Sequence, residues 1–191
     1  MGTRPGERKN QILQVLAEML EAPKGEKITT AALAERLDVS EAALYRHFAS
    51  KAQMYEGLIG FVEESVFGLI NKISTEQDSG LKQAHAIAAM LLSFAEKNPG
   101  MTRVLIGDAL VNENERLQSR INQLHDRLEA TLKQSLRLAA TQGDIDQDAD
   151  VAAQANLMLA YITGRWHQYA KSGFKRLPTE MWLKQAPMLL G

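Results

Sequence analysis

The 191-residue chain has no cysteine. Disulfides and thiolate metal sites are therefore excluded, although the absence identifies no compartment. Its four histidines stand far apart at 47, 85, 125 and 167, with no HxxxH pair, so no zinc site is expected. Aromatics make up only 6% of residues, and no apolar run approaches the ~20 residues of a membrane span. The N-terminus lacks the apolar core of a signal peptide, which makes the cytoplasm the expected location. No nucleophile–base pairing, metal set or glycine-rich phosphate cradle is visible, so neither an enzyme nor a cofactor is expected. A strong charge imbalance is missing as well. The net charge is −1, and residues 1–60 carry 8 Lys/Arg against 8 Asp/Glu. An evenly basic nucleic-acid surface is thus excluded, but a local basic rim is not. Arg4, Arg8 and Lys9 cluster at one end of this region, and Arg46, His47 and Lys51 at the other.

What is present is helical periodicity, and an all-α fold follows. Apolar Ile12, Leu13, Leu16, Met19 and Leu20 share one face of a helix over Arg8–Glu21, which Pro23 and Gly25 end. Thr29 or Thr30 can cap the next helix, which buries Leu33, Ala34 and Leu37. Asp38 falls in a turn that calls for a left-handed residue. Ser40 caps a third helix with Ala43, Leu44 and Phe48 inward. Ser50-Lys51-Ala52-Gln53 is a capping box opening a long helix to about Thr75. Later helices are expected over residues 80–97, 102–111, 113–140 and 148–171. A short last one opens at Pro178 and is interrupted at Pro187. The boundary between a small head and a helical body is placed at residues 48/49.

Thr29–Lys51 is the segment that carries function. Two short helices around a tight turn form a helix-turn-helix, which places its second helix in the major groove of DNA. Small and polar side chains are needed at that helix's start, and Ser40, Glu41, Ala42, Tyr45 and Arg46 supply them. Arg46 can read guanine, Ala42 a thymine methyl, and Glu41 can accept from cytosine. Thr29, Thr30, Tyr45, His47 and Lys51 suit phosphates, which position the protein without specifying sequence. An ordinary αα-hairpin in a bundle is the other reading of the pattern.

The run Val39-Ser-Glu-Ala-Ala-Leu-Tyr45-Arg-His-Phe48-Ala-Ser-Lys51 resembles the signature of TetR-family regulators, with Asp38 where that family usually has Gly. The resemblance implies about nine helices, a three-helix head and a C-terminal body that forms a homodimer on palindromic DNA. Asn98-Pro99-Gly100-Met101-Thr102-Arg103 and Arg116-Leu-Gln-Ser-Arg-Ile-Asn-Gln-Leu124 are similar to one branch of the family, the nucleoid occlusion factors. That narrower resemblance implies a nucleoid-associated protein that antagonises the division protein FtsZ over the chromosome. It also implies that the fourth and fifth helices receive the FtsZ C-terminal tail at Phe61, Leu69, Met90, Ser93, Lys97 and Asn98. Leu69 and Lys97 stand where the branch has Arg, and Ser93 where it has Gly. Losing an Arg removes a bidentate partner for an acidic tail.

Two other functions fit the same residues. A ligand-released repressor would need a polar-studded pocket, for which Tyr161, Trp166, His167 and Tyr169 are candidates. The alternative expectation is that these aromatics pack at the dimer interface. A helical interaction module acting through the fourth and fifth helices is the other function. Asp144, Asp146, Asp148 and Asp150 imitate the start of a calcium loop. Ala149 and Ala155 stand where that loop needs Gly and Glu, so the acids read as a solvated loop and a helix N-terminus.

Overall fold

A computed structural model describes residues 5–22 and 28–190. Among these, nine α-helices and no strand are found. In chain order they are α1 (Pro5–Leu20), α2 (Thr30–Arg36), α3 (Glu41–Tyr45), α4 (Lys51–Glu76) and α5 (Gly80–Lys97). They continue with α6 (Pro99–Leu105), α7 (Glu115–Gln142), α8 (Val151–Lys171) and α9 (Trp182–Leu190). The stop expected at Pro23 and Gly25 lies outside the described residues. No helix among the described residues is long and apolar enough to cross a membrane.

Helix ends follow the capping residues of the sequence. The hydroxyls of Thr29, Ser40 and Ser79 accept amide hydrogen bonds from Ala32, Ala43 and Lys82. Asp150 accepts two, from Ala152 and Ala153, so α8 begins at Val151 and the acids before it form the approach to its cap. Asp144 in that approach accepts from the Ser79 hydroxyl, and Asp146 from the Asp148 amide. Gly143, at φ 78°, ends α7. Its amide donates to the Ala140 carbonyl and that of Asp144 to Ala139. The box at Ser50 is shifted at one end. The Gln53 amide donates to Ser50 Oγ, but Gln53 Oε1 accepts from the Ala49 amide rather than from that of Ser50.

Three expectations need correction. The helix expected over 102–111 is instead α6 from Pro99, ended at left-handed Gly107 (φ 77°) and followed by a 3-10 turn at Asp108–Leu110. Pro needs no amide partner in a first turn, so Pro99 opens the helix rather than belonging to the preceding stop. Pro187 lies inside α9, which starts at Trp182 rather than at Pro178. Burial of Trp182, Ala186 and Leu190 on one face offsets the backbone hydrogen bond that Pro187 cannot make. Trp166 and Tyr169, expected at a dimer interface, are buried within their own chain.

The chain divides into two compact units, one of residues 1–62 and 99–121, the other of residues 63–98 and 122–191. In the first, α2 packs on α1 and α3, and α6 packs on α1. Ile12, Leu16, Leu33, Leu44, Met54 and Leu58 are almost wholly buried. A Cβ on Gly100 would lie 1.9 Å from the Ala17 carbonyl oxygen, so the α1 and α6 backbones nearly touch there.

In the second unit, α5 packs on α8 and α9. Trp166 is fully buried and its indole N–H donates to the Leu91 carbonyl at 3.2 Å. The Tyr169 hydroxyl donates to Glu96 O at 2.9 Å, and that of Tyr161 to Gln185 Oε1 at 2.8 Å. Trp166 and Tyr169 therefore belong to the core of their own chain, not to a subunit interface, while His167 is exposed. Spacing alone leaves this open, because an interface and a core both want aromatics whose polar tips are satisfied.

Gly100→Ala is expected to lower the unfolding free energy by about 2 kcal/mol or more, since backbone rather than a flexible side chain must yield. Gly68→Ala, with open space around its Cβ on α4, should raise it by about 0.5–1 kcal/mol. Denaturant melts of the two variants check both signs.

Candidate nucleic-acid interface

The turn between α2 and α3 depends on one residue. Asp38 has φ 52°, the left-handed conformation anticipated for it. Its amide donates to the Glu35 carbonyl at 3.0 Å, and the Val39 amide to Ala34 at 3.0 Å. This pair of reversed bonds is a Schellman closure, which satisfies the last carbonyls of α2 and turns the chain toward α3. Asp adopts it at a cost that Gly would avoid.

The second helix is shorter than Ser40–His47. It runs as α-helix over Glu41–Tyr45, and Arg46 and His47 follow as a turn, with the His47 amide donating to Leu44 at 2.9 Å. Leu44 and Phe48 are buried and anchor it. Ala43, expected inward, is only half-buried. Ser40, Glu41, Ala42, Tyr45 and Arg46 are exposed and share the outward side, with Tyr45 45% exposed despite its size.

Three of the expected DNA-facing residues are joined to one another. Thr30 Oγ1 donates to Glu41 Oε2 at 2.6 Å, and the Tyr45 hydroxyl lies 3.5 Å from Thr30 Oγ1 as its donor. The start of α2 thus holds the first residue of α3 and lies beside the last. Thr29 and Ser40 use an oxygen lone pair for capping. Their hydroxyl protons still can donate to a phosphate, because capping only accepts.

Lys51, at the first position of α4, lies 2.5 Å from Glu113 Oε1, with the two side chains 20% and 13% exposed. Its ammonium also stands 5.6 Å from the ring of Tyr55. Burial pushes the Tyr55 hydroxyl well above its ordinary value, and the Glu113 carboxylate adds to the rise. Nothing near Lys51 in sequence announces Glu113, because the pair is separated by 62 positions. Nearby on α4, the Glu56 carbonyl accepts from Arg120 Nη1 at 3.0 Å, and the Glu56 carboxylate lies 3.5 Å from Arg116.

The residues expected to receive a partner divide by helix. Phe61 and Leu69 are 48% and 42% exposed on α4, eight positions apart, a little over two turns. On α5, Met90, Ser93 and Lys97 recur at spacings of three and four and share a side, the first two half-buried and Lys97 exposed. Asn98 caps α5, its side-chain amide donating to Phe94 O at 2.7 Å.

Known proteins share this fold and its N-terminal head. Residues 17–58 match the model of bacterial regulatory proteins of the tetR family, and residues 78–191 match a tetracyclin repressor-like C-terminal domain. PfmR from Thermus thermophilus, a TetR family transcriptional regulator, superposes with a TM-score of 0.78 at 21% identity, over 94% of this chain and 97% of that one. FadR from Bacillus subtilis, solved with stearoyl-CoA, superposes with 0.78 at 15% identity, over 95% and 97%. Fold and head together define a TetR-type regulator.

Sequence narrows the class. The nucleoid occlusion factor SlmA of Alteromonas mediterranea is 52% identical over 93% of this chain and 91% of its own length. That of Marinomonas sp. (strain MWYL1) is 48% identical over 99% and 96%. The chain belongs to the SlmA nucleoid occlusion factors of the TetR family.

Asp38→Gly is expected to stabilise the chain by about 0.5–1 kcal/mol, relief of the left-handed strain exceeding the added freedom of the unfolded state. A thermal melt checks it, a lower Tm being the contrary result.

Proposed function

We propose that two copies of this chain bind a DNA palindrome, each placing α3 in the major groove of one half-site, and that the bound dimer acts in nucleoid occlusion by restraining FtsZ. The observation that carries this reading is the outward side of α3. Small or polar Ser40, Glu41 and Ala42 lead it, Tyr45 and Arg46 follow, and buried Leu44 and Phe48 anchor the helix that carries them, with Thr30 bonded to Glu41 at 2.6 Å. A reader of bases must present such groups rigidly, since each good bidentate contact discriminates by only about 1–3 kcal/mol. Half-sites about one turn apart, ~34–36 Å, suit a two-fold pair of heads. Neither an enzymatic role nor a cofactor enters this reading, and the place of action is the cytoplasmic nucleoid.

The head and body are proposed to meet at residues 48/49, with α4 serving as the brace of the head. Phe61, Leu69, Met90, Ser93, Lys97 and Asn98 are proposed to receive the acidic FtsZ tail. Apolar Phe61 and Leu69 then supply contact area, and Lys97 supplies charge.

Selection of bound sequences from a random duplex pool, with and without FtsZ, tests the function directly. Enrichment of one palindrome supports it, and equal affinity for selected and random duplexes defeats it. Tyr45→Ala should weaken binding to all sequences. Arg46→Ala should in addition lose about 1–3 kcal/mol of preference at one base position, read by competition assays. Retention of FtsZ on site-containing DNA tests the partner. Leu69→Arg should increase it by restoring a fork for carboxylates. DNA binding without FtsZ retention would leave a regulator of another kind.

A further inference from the structure

We propose that Glu113 competes with DNA phosphate for the Lys51 ammonium, and so lowers the affinity of the head for every sequence alike. The inference rests on the reading of Lys51 as a phosphate contact.

Lys51 opens α4 directly after the helix-turn-helix, and Glu113 already occupies its ammonium at 2.5 Å. A fully exposed pair would carry little weight, because water and salt screen it. Here both side chains are largely covered, at 20% and 13% exposure, so the attraction is screened less. The carboxylate is also held by shaped backbone. Its segment begins at Gly107 (φ 77°), passes through the Asp108–Leu110 turn and left-handed Asn112 (φ 66°), and closes with the Glu113 amide donating to Leu110 O at 3.0 Å. A Cβ on Gly107 would lie 2.5 Å from the Gln118 side chain, so the segment is seated closely on the start of α7.

A carboxylate and a phosphate oxygen ask the same thing of an ammonium. When phosphate arrives, it must either displace Glu113 or share Lys51 with it, and sharing sets two anions side by side. Either course subtracts from the binding free energy. Phosphate contacts carry no sequence information, so the subtraction is equal for a palindrome and for random DNA. Glu113 is on this view a positioning residue that sets how available Lys51 is, and it touches no base.

The test compares wild type, Glu113→Gln, Lys51→Ala and the double variant, each against a selected palindrome and a random duplex at one salt concentration. Glu113→Gln keeps the shape and removes the charge. It should tighten binding to both duplexes by a similar factor, about 3- to 10-fold. In the Lys51→Ala background the same change should give little or no gain. Unchanged or weakened binding in Glu113→Gln overturns the proposal, as does a gain that persists in full without Lys51, which would mark a general charge effect. If Lys51→Ala alone changes neither affinity, the phosphate role of Lys51 fails and the competition falls with it. If Lys51→Ala weakens binding but Glu113→Gln does not strengthen it, only the competition fails. Should Glu113→Gln lose its cooperative melt, Glu113→Asp carries the test, with a smaller gain expected from its shorter reach.

Discussion

Every helix leaves backbone donors at its start and acceptors at its end, and a chain built of helices must satisfy them many times over. This constraint governs the architecture. Thr29, Ser40, Ser50, Ser79 and Asp150 supply oxygen to the starts of five helices. Asp38, Gly143 and the pair Gly173–Phe174 take left-handed conformations at ends. The helix-turn-helix is the densest instance. Within Thr29–Ser50, three capping hydroxyls and one left-handed residue set the start of α2, its end, the start of α3 and the start of α4. The rigidity that base reading requires comes from these local bonds, with Leu33, Leu44 and Phe48 buried beneath them.

Local satisfaction is also why so much of the fold is legible in the sequence. A cap declares itself within four residues, and periodic apolar residues declare a face within two turns. The Asp38 turn, the Ser40 cap and the Gly143 stop all follow from such windows, whereas α8 starts at Val151, three residues after the expected Asp148, because Asp150 serves as its cap. Expectation and structure part where a residue type has two local meanings. Pro99 after Asn98 is equally a stop signal and a first-turn residue, and only the packing of Gly100 against Ala17 decides for the second. Pro187 breaks an isolated helix, yet Trp182, Ala186 and Leu190 gain enough by burial to keep α9 going.

Contacts distant in sequence are not legible in the same way. Trp166 and Tyr169 advertise a buried surface, but nothing in their neighbourhood says whether it faces the same chain or another. Their partners are the Leu91 and Glu96 carbonyls, more than 70 positions away. A backbone carbonyl has no residue-type signature, so no pattern can name it. Lys51 presents the same difficulty in charge. Its residue type and place beside the head point to phosphate, while its present partner, Glu113, lies in a segment whose periodicity reads as the start of a helix.

The balance of charge gives that pairing its meaning. With equal numbers of acids and bases in residues 1–60, the head has few cations to offer a phosphate backbone, and each counts. Phosphate contacts supply nearly all non-specific affinity, whereas base contacts supply the difference between a site and the surrounding chromosome. Under the competition proposed for Glu113, a carboxylate weakens the first without touching the second, so absolute affinity falls while discrimination stays. A protein that must mark particular places on a chromosome is limited by that discrimination, because non-specific sites outnumber its own by many orders of magnitude. Lower affinity for all DNA then shortens the time lost on wrong sites. A near-neutral head with a tethered lysine, which at first argues against DNA binding, becomes consistent with a protein that must leave most of the DNA it meets.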